Sequence, residues 1–168
     1  YPTFPMACHL AGAARITTVD LNRHMKPSLV LACAERLGGA LDLISSNSAD
    51  AVGDDSSHLP AISADGRHVA YLSTAGNLVP NFVASSLANK VFVKDRQTRS
   101  SRLVSATASG EAATGSCAGS PSLSADGRFV AFQCNSPNLP ANGGWNGERI
   151  FVKDMLSGAL ELMSHPSY

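Results

Sequence analysis

The sequence predicts an all-β fold: propeller-type, four-stranded antiparallel blades in tandem, two clear and one degenerate, forming an incomplete ring within one chain. Three observations predict it. A set of motifs recurs in the same order after roughly sixty residues. Inside each copy, short β-branched and aromatic runs alternate with turn residues. An Asp-Gly turn signal stands at the same place in both copies.

The repeat begins with Pro60–Tyr71 (Pro-Ala-Ile-Ser-Ala-Asp-Gly-Arg-His-Val-Ala-Tyr), which returns as Pro121–Phe132 (Pro-Ser-Leu-Ser-Ala-Asp-Gly-Arg-Phe-Val-Ala-Phe). Ala61–Ser63 reads as a short first strand, with Pro60 at its first position, where a missing N–H is tolerated. Asp65-Gly66 and Asp126-Gly127 make the hairpin turn, because glycine supplies the positive φ and aspartate caps local backbone N–H groups. Val69–Leu72 and Val130–Gln133 are the returning strands.

Asn77-Leu78-Val79-Pro80 then recurs as Asn138-Leu139-Pro140, one residue shorter. Val91–Asp95 recurs as Ile150–Asp154, a third strand that ends in Lys-Asp in both copies. Arg102–Ser105 and Glu161–Ser164 supply the fourth. The repetition of Lys94-Asp95 and Lys153-Asp154 points to a structural role.

A third copy is partly visible. Leu37–Ser45 matches Leu156–Ser164 at about two periods. Taken alone, Pro27–Gly38 also suits a short helix, with proline in its first turn and glycine after its end; the repeat favours strands. Pro5–Ile16 lies weakly on the Pro60–Tyr71 unit. Residues 1–47 therefore read as a degenerate N-terminal blade or partial blade, 48–106 as one blade and 107–168 as another.

Together these motifs resemble the TolB-like β-propeller repeat family: Pro-x-Leu/Ile-Ser-Ala-Asp-Gly-Arg-x-Val-Ala-Phe/Tyr, Asn-Leu-(Val)-Pro, Val/Ile-Phe-Val-Lys-Asp and Leu-Val-Ser. The resemblance covers residues 48–168 well and 29–47 moderately. It implies blades around a central channel, a bacterial source and a periplasmic or extracellular setting. It is specific for the repeat and not for a function, since the family spans assembly proteins, propeller halves of peptidases and many secreted proteins. Many secreted members carry an Asp-x-Asn-Gly-x-x-Asp-like stretch suited to a hard cation. Here Pro140–Glu148 keeps Asn142 and Gly143 but a single carboxylate, and Asn81–Lys90 has none. Hard-cation sites use several oxygen ligands, so no calcium or other metal is expected.

Composition narrows the function classes. Charged residues make up 15% of the 168, with 13 basic and 13 acidic side chains, so no basic footprint for nucleic acid is present. No run of eighteen apolar residues offers a membrane span. No basic and then apolar opening marks a signal peptide, and a start at Tyr1 suits a processed or truncated product.

Four cysteines, Cys8, Cys33, Cys117 and Cys134, permit two disulfides or four buried thiols. Cys117 and Cys134 flank the Asp126-Gly127 hairpin, within one residue of direct opposition, a mismatch that a bulge would correct; Cys8 and Cys33 are the remaining pair. A disulfide would indicate an oxidising compartment. No histidine pair has metal-ligand spacing; His68 fills a strand position and His58 a polar loop. No Gly-x-Ser-x-Gly elbow is present, and no catalytic or cofactor-binding residue is assigned. Trp145 lies in a Gly/Asn-rich loop with Asn142 and Asn146, placed to stack on a sugar, insert into a protein or pack over the loop.

Two or three blades leave exposed edges and half-covered faces. The expected function is non-enzymatic protein–protein interaction, as a subunit or fragment of a larger extracytoplasmic assembly completed by a partner or by further copies of the chain. The alternatives are a carbohydrate-binding, lectin-like propeller and an accessory propeller of an enzyme whose catalytic domain lies elsewhere.

Overall fold

A computed structural model describes residues 41–82, 88–140 and 147–164. Their strands are β1 (Ser57–Ile62), β2 (His68–Ser73), β3 (Lys90–Asp95), β4 (Ser101–Leu103), β5 (Ser116–Leu123), β6 (Phe129–Asn135), β7 (Arg149–Asp154) and β8 (Leu160–Leu162). Among the described residues they form two four-stranded antiparallel meanders, β1-β2-β3-β4 (sheet I) and β5-β6-β7-β8 (sheet II). This is the all-β, blade-type architecture that the repeat predicts.

The first strands start earlier than the sequence indicates. Pro60 lies inside β1 rather than at its first position. It is tolerated because the ladder skips there: His58 pairs with Leu72 and Ala61 with Ala70, so Leu59 and Pro60 face one residue across a bulge. Pro121 occupies the matching irregularity in β5, between the Ala118–Gln133 and Ser122–Ala131 pairs. Both irregularities need a left-handed residue, met by Leu59 (φ 53°) in sheet I and Gly119 (φ 67°) in sheet II.

The sheets stack face to face. One face of sheet I (Ala70, Leu72, Val91, Val93, Val104) joins Val130, Phe132, Phe151, Leu139 and Met155 in a single buried cluster. Apolar burial of this kind contributes about 1.5–3 kcal/mol per large side chain. The opposite face of sheet I buries Val69, Tyr71 and Phe92 with Ile44, Ala75 and Leu78. Sheet I is thus covered on both faces, and β2 and β3 are buried almost throughout. Sheet II is covered on one: β6 alternates buried with more open positions, and Phe129 and Ile150 remain 42% and 41% exposed.

Candidate functional site

The repeated polar residues form three structural devices, each present twice. The first closes the β1–β2 and β5–β6 hairpins. Asp65 accepts hydrogen bonds from the Ser63 hydroxyl at 2.5 Å and the Arg67 amide at 2.9 Å; Asp126 does so from Ser124 at 2.6 Å and Arg128 at 3.0 Å. The serine hydroxyls hold both carboxyls below the usual aspartate range. The arginine of each turn reaches the aspartate that ends the third strand. Arg67 Nη2 lies 2.6 Å from Asp95 and Arg128 Nη2 lies 2.9 Å from Asp154, with each Nε at 3.1 Å. These forked, charge-assisted pairs hold both carboxyls well below the usual range, helped by backbone amides such as Gln97 and Leu156.

The second device anchors the linker that enters each sheet. Lys94 is buried, and its Nζ donates to the carbonyls of Ser46 (3.1 Å) and Asn47 (2.9 Å). Lys153 does the same to Ala106 (3.1 Å) and Thr107 (3.0 Å). Desolvation lowers the pKa of both ammonium groups. Asn77 grips the far half of its linker, donating to the Val52 carbonyl at 2.8 Å and accepting from the Asp54 amide at 3.0 Å. Asn138 repeats this on Ala112 and Thr114, both at 2.9 Å. A lysine on the buried phase of a strand, beside Phe92 or Phe151, was the readable sign of such a tether.

The third device pins the first strand to the second. Cys117 and Cys134 are directly opposed across β5 and β6 and form a disulfide, with Cα atoms 3.9 Å apart. The irregularity after Ala118 removes the mismatch expected from the sequence. In sheet I the same positions are Ser57 and Ser73, whose hydroxyls are hydrogen-bonded at 3.0 Å.

Contacts between the sheets complete the arrangement. The Cys117 amide donates to the Asn89 carbonyl at 2.9 Å, Lys90 Nζ to the Gly115 carbonyl at 2.6 Å and Arg102 to the Met155 carbonyl at 2.7 Å. Arg96 bonds the Asp42 carboxylate, which holds the position of Arg102 one repeat earlier. The turn of sheet II rests on sheet I so closely that a Cβ on Gly127 would stand 2.2 Å from His68 Nδ1.

His68 starts β2 with Nε2 3.7 Å from Asp95, as a strand residue of the hairpin network. His58 lies within β1, not in a loop, because that strand begins at Ser57. Cys8, Cys33 and the loop residues Asn142, Trp145 and Asn146 lie outside the described residues, as do His9, His24 and His165. Among the described residues, no group of three or more His, Cys, Asp or Glu side chains is placed to hold a metal ion. No described helix is long and apolar enough to cross a membrane.

No family model matches the chain, and neither does any curated protein. Among solved structures it is similar over 66% of its length to TolB from Acinetobacter baumannii, with 19% identity and a TM-score of 0.43, covering 21% of that chain. It is also similar over 67% of its length to an acylaminoacyl peptidase in complex with Z-Gly-Gly-Phe-chloromethyl ketone, with 17% identity and a TM-score of 0.40, covering 18% of that chain. The chain spans 21% and 18% of the lengths of these two structures.

Proposed function

We propose that this chain is a non-enzymatic, propeller-type module for protein–protein interaction, working in an oxidising, extracytoplasmic compartment as part of a larger assembly. The observation that carries the reading is the open face of sheet II. Its repeat equivalent on sheet I is covered, whereas Phe129, Ile150 and Met163 stand 42%, 41% and 53% exposed. Apolar side chains grouped on one sheet face mark a surface that gains by association. The recurring Asp, Arg, Lys and Asn residues are engaged in turn, strand-end and linker hydrogen bonds, which supports a scaffold role over a chemical one. The Cys117–Cys134 disulfide supports the compartment.

The test is a photo-crosslinking residue at position 150 of the exported chain. A discrete crosslinked protein species, absent when the crosslinker replaces the turn residue Leu156, is expected. No crosslink from position 150 to any protein, this chain included, would end the reading.

A further inference from the structure

The internal repeat gives a template for what covers sheet II. On sheet I the covered face consists of Ala70, Leu72, Val91, Val93 and Val104, with Arg102 at its rim. The same positions on sheet II are Ala131, Gln133, Ile150, Val152 and Met163, with Glu161 at the rim. Sheet I is covered by the opposite face of a sibling sheet, so the complement of this open face is a sheet face of the same kind.

The rim charge says which kind. Asp42 occupies the rim position one repeat before Arg102 and is bound by Arg96 of sheet I. Glu161 restores the acid at this position, and its complement is therefore a face carrying an arginine where sheet I has Arg96; sheet II has Met155 there. The surrounding sequence agrees: Leu160-Glu161-Leu162-Met163-Ser164 repeats Leu41-Asp42-Leu43-Ile44-Ser45. The latter segment lies on sheet I, with Ile44 beside Val69, Tyr71 and Phe92.

We propose that the open face of sheet II docks a second copy of this chain, on the Val69, Tyr71, Phe92 and Arg96 face of that copy's sheet I. Leu160–Ser164 of one copy displaces Leu41–Ser45, the segment that covers this face within the other copy; the two segments are near-identical, so the carboxylate–Arg96 pair is kept and burial of Ile150 and Val152 is added. The inference deepens the interaction reading above and rests on it by naming the partner.

Sedimentation velocity on the full chain, from low to high micromolar concentration, tests it. The expected result is association into multiples of 17.4 kDa. Ile150→Lys and Glu161→Arg, both at open positions, should each weaken association about tenfold or more, equivalent to about 1.4 kcal/mol. Leu156→Lys, in the β7–β8 turn, should leave it unchanged. Mixing the Glu161→Arg chain with an Arg96→Glu chain should restore association through the reversed pair.

A monomer at every concentration overturns the proposal. So does association indifferent to Ile150→Lys and Glu161→Arg, or a mixture that fails to recover. A monomer that still crosslinks a different protein from position 150 leaves the interaction reading standing; loss of both removes it.

Discussion

The hydroxyls of Ser57 and Ser73 meet at 3.0 Å at the repeat positions where Cys117 and Cys134 are joined covalently. The two sheets thus solve one problem twice, pinning the first strand to the second beyond the bulge. Thr74 donates its amide to the Ser56 carbonyl, which leaves Ser57 and Ser73 as a facing pair without a backbone bond between them, where side chains approach closely. Ser57→Cys with Ser73→Cys should therefore form a second disulfide. Intact mass under non-reducing conditions should show the loss of two hydrogens, and denaturant unfolding a gain of about 2–3 kcal/mol. Two free thiols under oxidising conditions would contradict the equivalence.

The converse change has a graded outcome. Replacing Cys117 and Cys134 together by serine should cost about 3 kcal/mol, from loss of a cross-link closing a short loop. Alanine at both positions should cost more, because it removes the hydrogen bond as well and leaves space in the cluster around Phe132 and Leu139. Equal unfolding midpoints for the serine and alanine pairs would show that the sheet I geometry does not transfer.

Acid should loosen the chain through Asp95 and Asp154. Their folded carboxyls are held low by Arg67 and Arg128, so the stability they contribute is complete above the unfolded aspartate value, about 3.9, and is lost progressively as the pH falls below it. Denaturant midpoints measured from neutral to strongly acid pH should drop less steeply in the Asp95→Asn, Asp154→Asn double variant. Parallel slopes for variant and parent would refute the assignment.

Gly66 and Gly127 are equivalent in the repeat and differ in surroundings. Both have positive φ, 71° and 70°, but an added Cβ meets nothing at Gly66 and strikes His68 at Gly127. Gly66→Ala should cost about 1–2 kcal/mol from the backbone alone. Gly127→Ala should cost about 3 kcal/mol, because overpacking adds to it. The excess should shrink in a His68→Ala background, which thermal unfolding of the four variants measures.

Removing the Lys94 ammonium should act locally. Lys94→Met leaves the carbonyls of Ser46 and Asn47 without that donor, a loss of about 1–3 kcal/mol. Amide exchange should accelerate most at Asp50 and Gly53, whose N–H groups close the linker onto Asn47 and Ser45. Uniform acceleration over both sheets would mean that the lysine supports the whole fold rather than the linker.

The four-strand unit was legible because alternation and the Asp-Gly turn survive in both copies. The turn inside each linker was not, because its equivalence is written in backbone hydrogen bonds. Asn47 and Thr107 have different side chains, as do Ala51 and Glu111, yet the amides of Asn47 and Thr107 donate to the carbonyls of Ala51 and Glu111 at 2.9 and 2.8 Å. The left-handed positions hid for a related reason: Gly110, Gly119 and Gly158 mark them in the second copy, while Asp50, Leu59 and Arg99 also have positive φ in the first. The open face escaped notice residue by residue, since Ile150 reads like any strand isoleucine until Val91, its buried twin, is seen beneath a neighbour.

The lysine tether also sets where one module ends and the next begins. Each linker is fastened by the sheet that follows it, through Lys94 to Ser46 and Lys153 to Ala106, far downstream in the chain. A cut made at the edge of a sheet would leave that fastening behind. The portable segment, the one that gene duplication or protein engineering can move with its joint intact, starts at the linker and runs through the fourth strand.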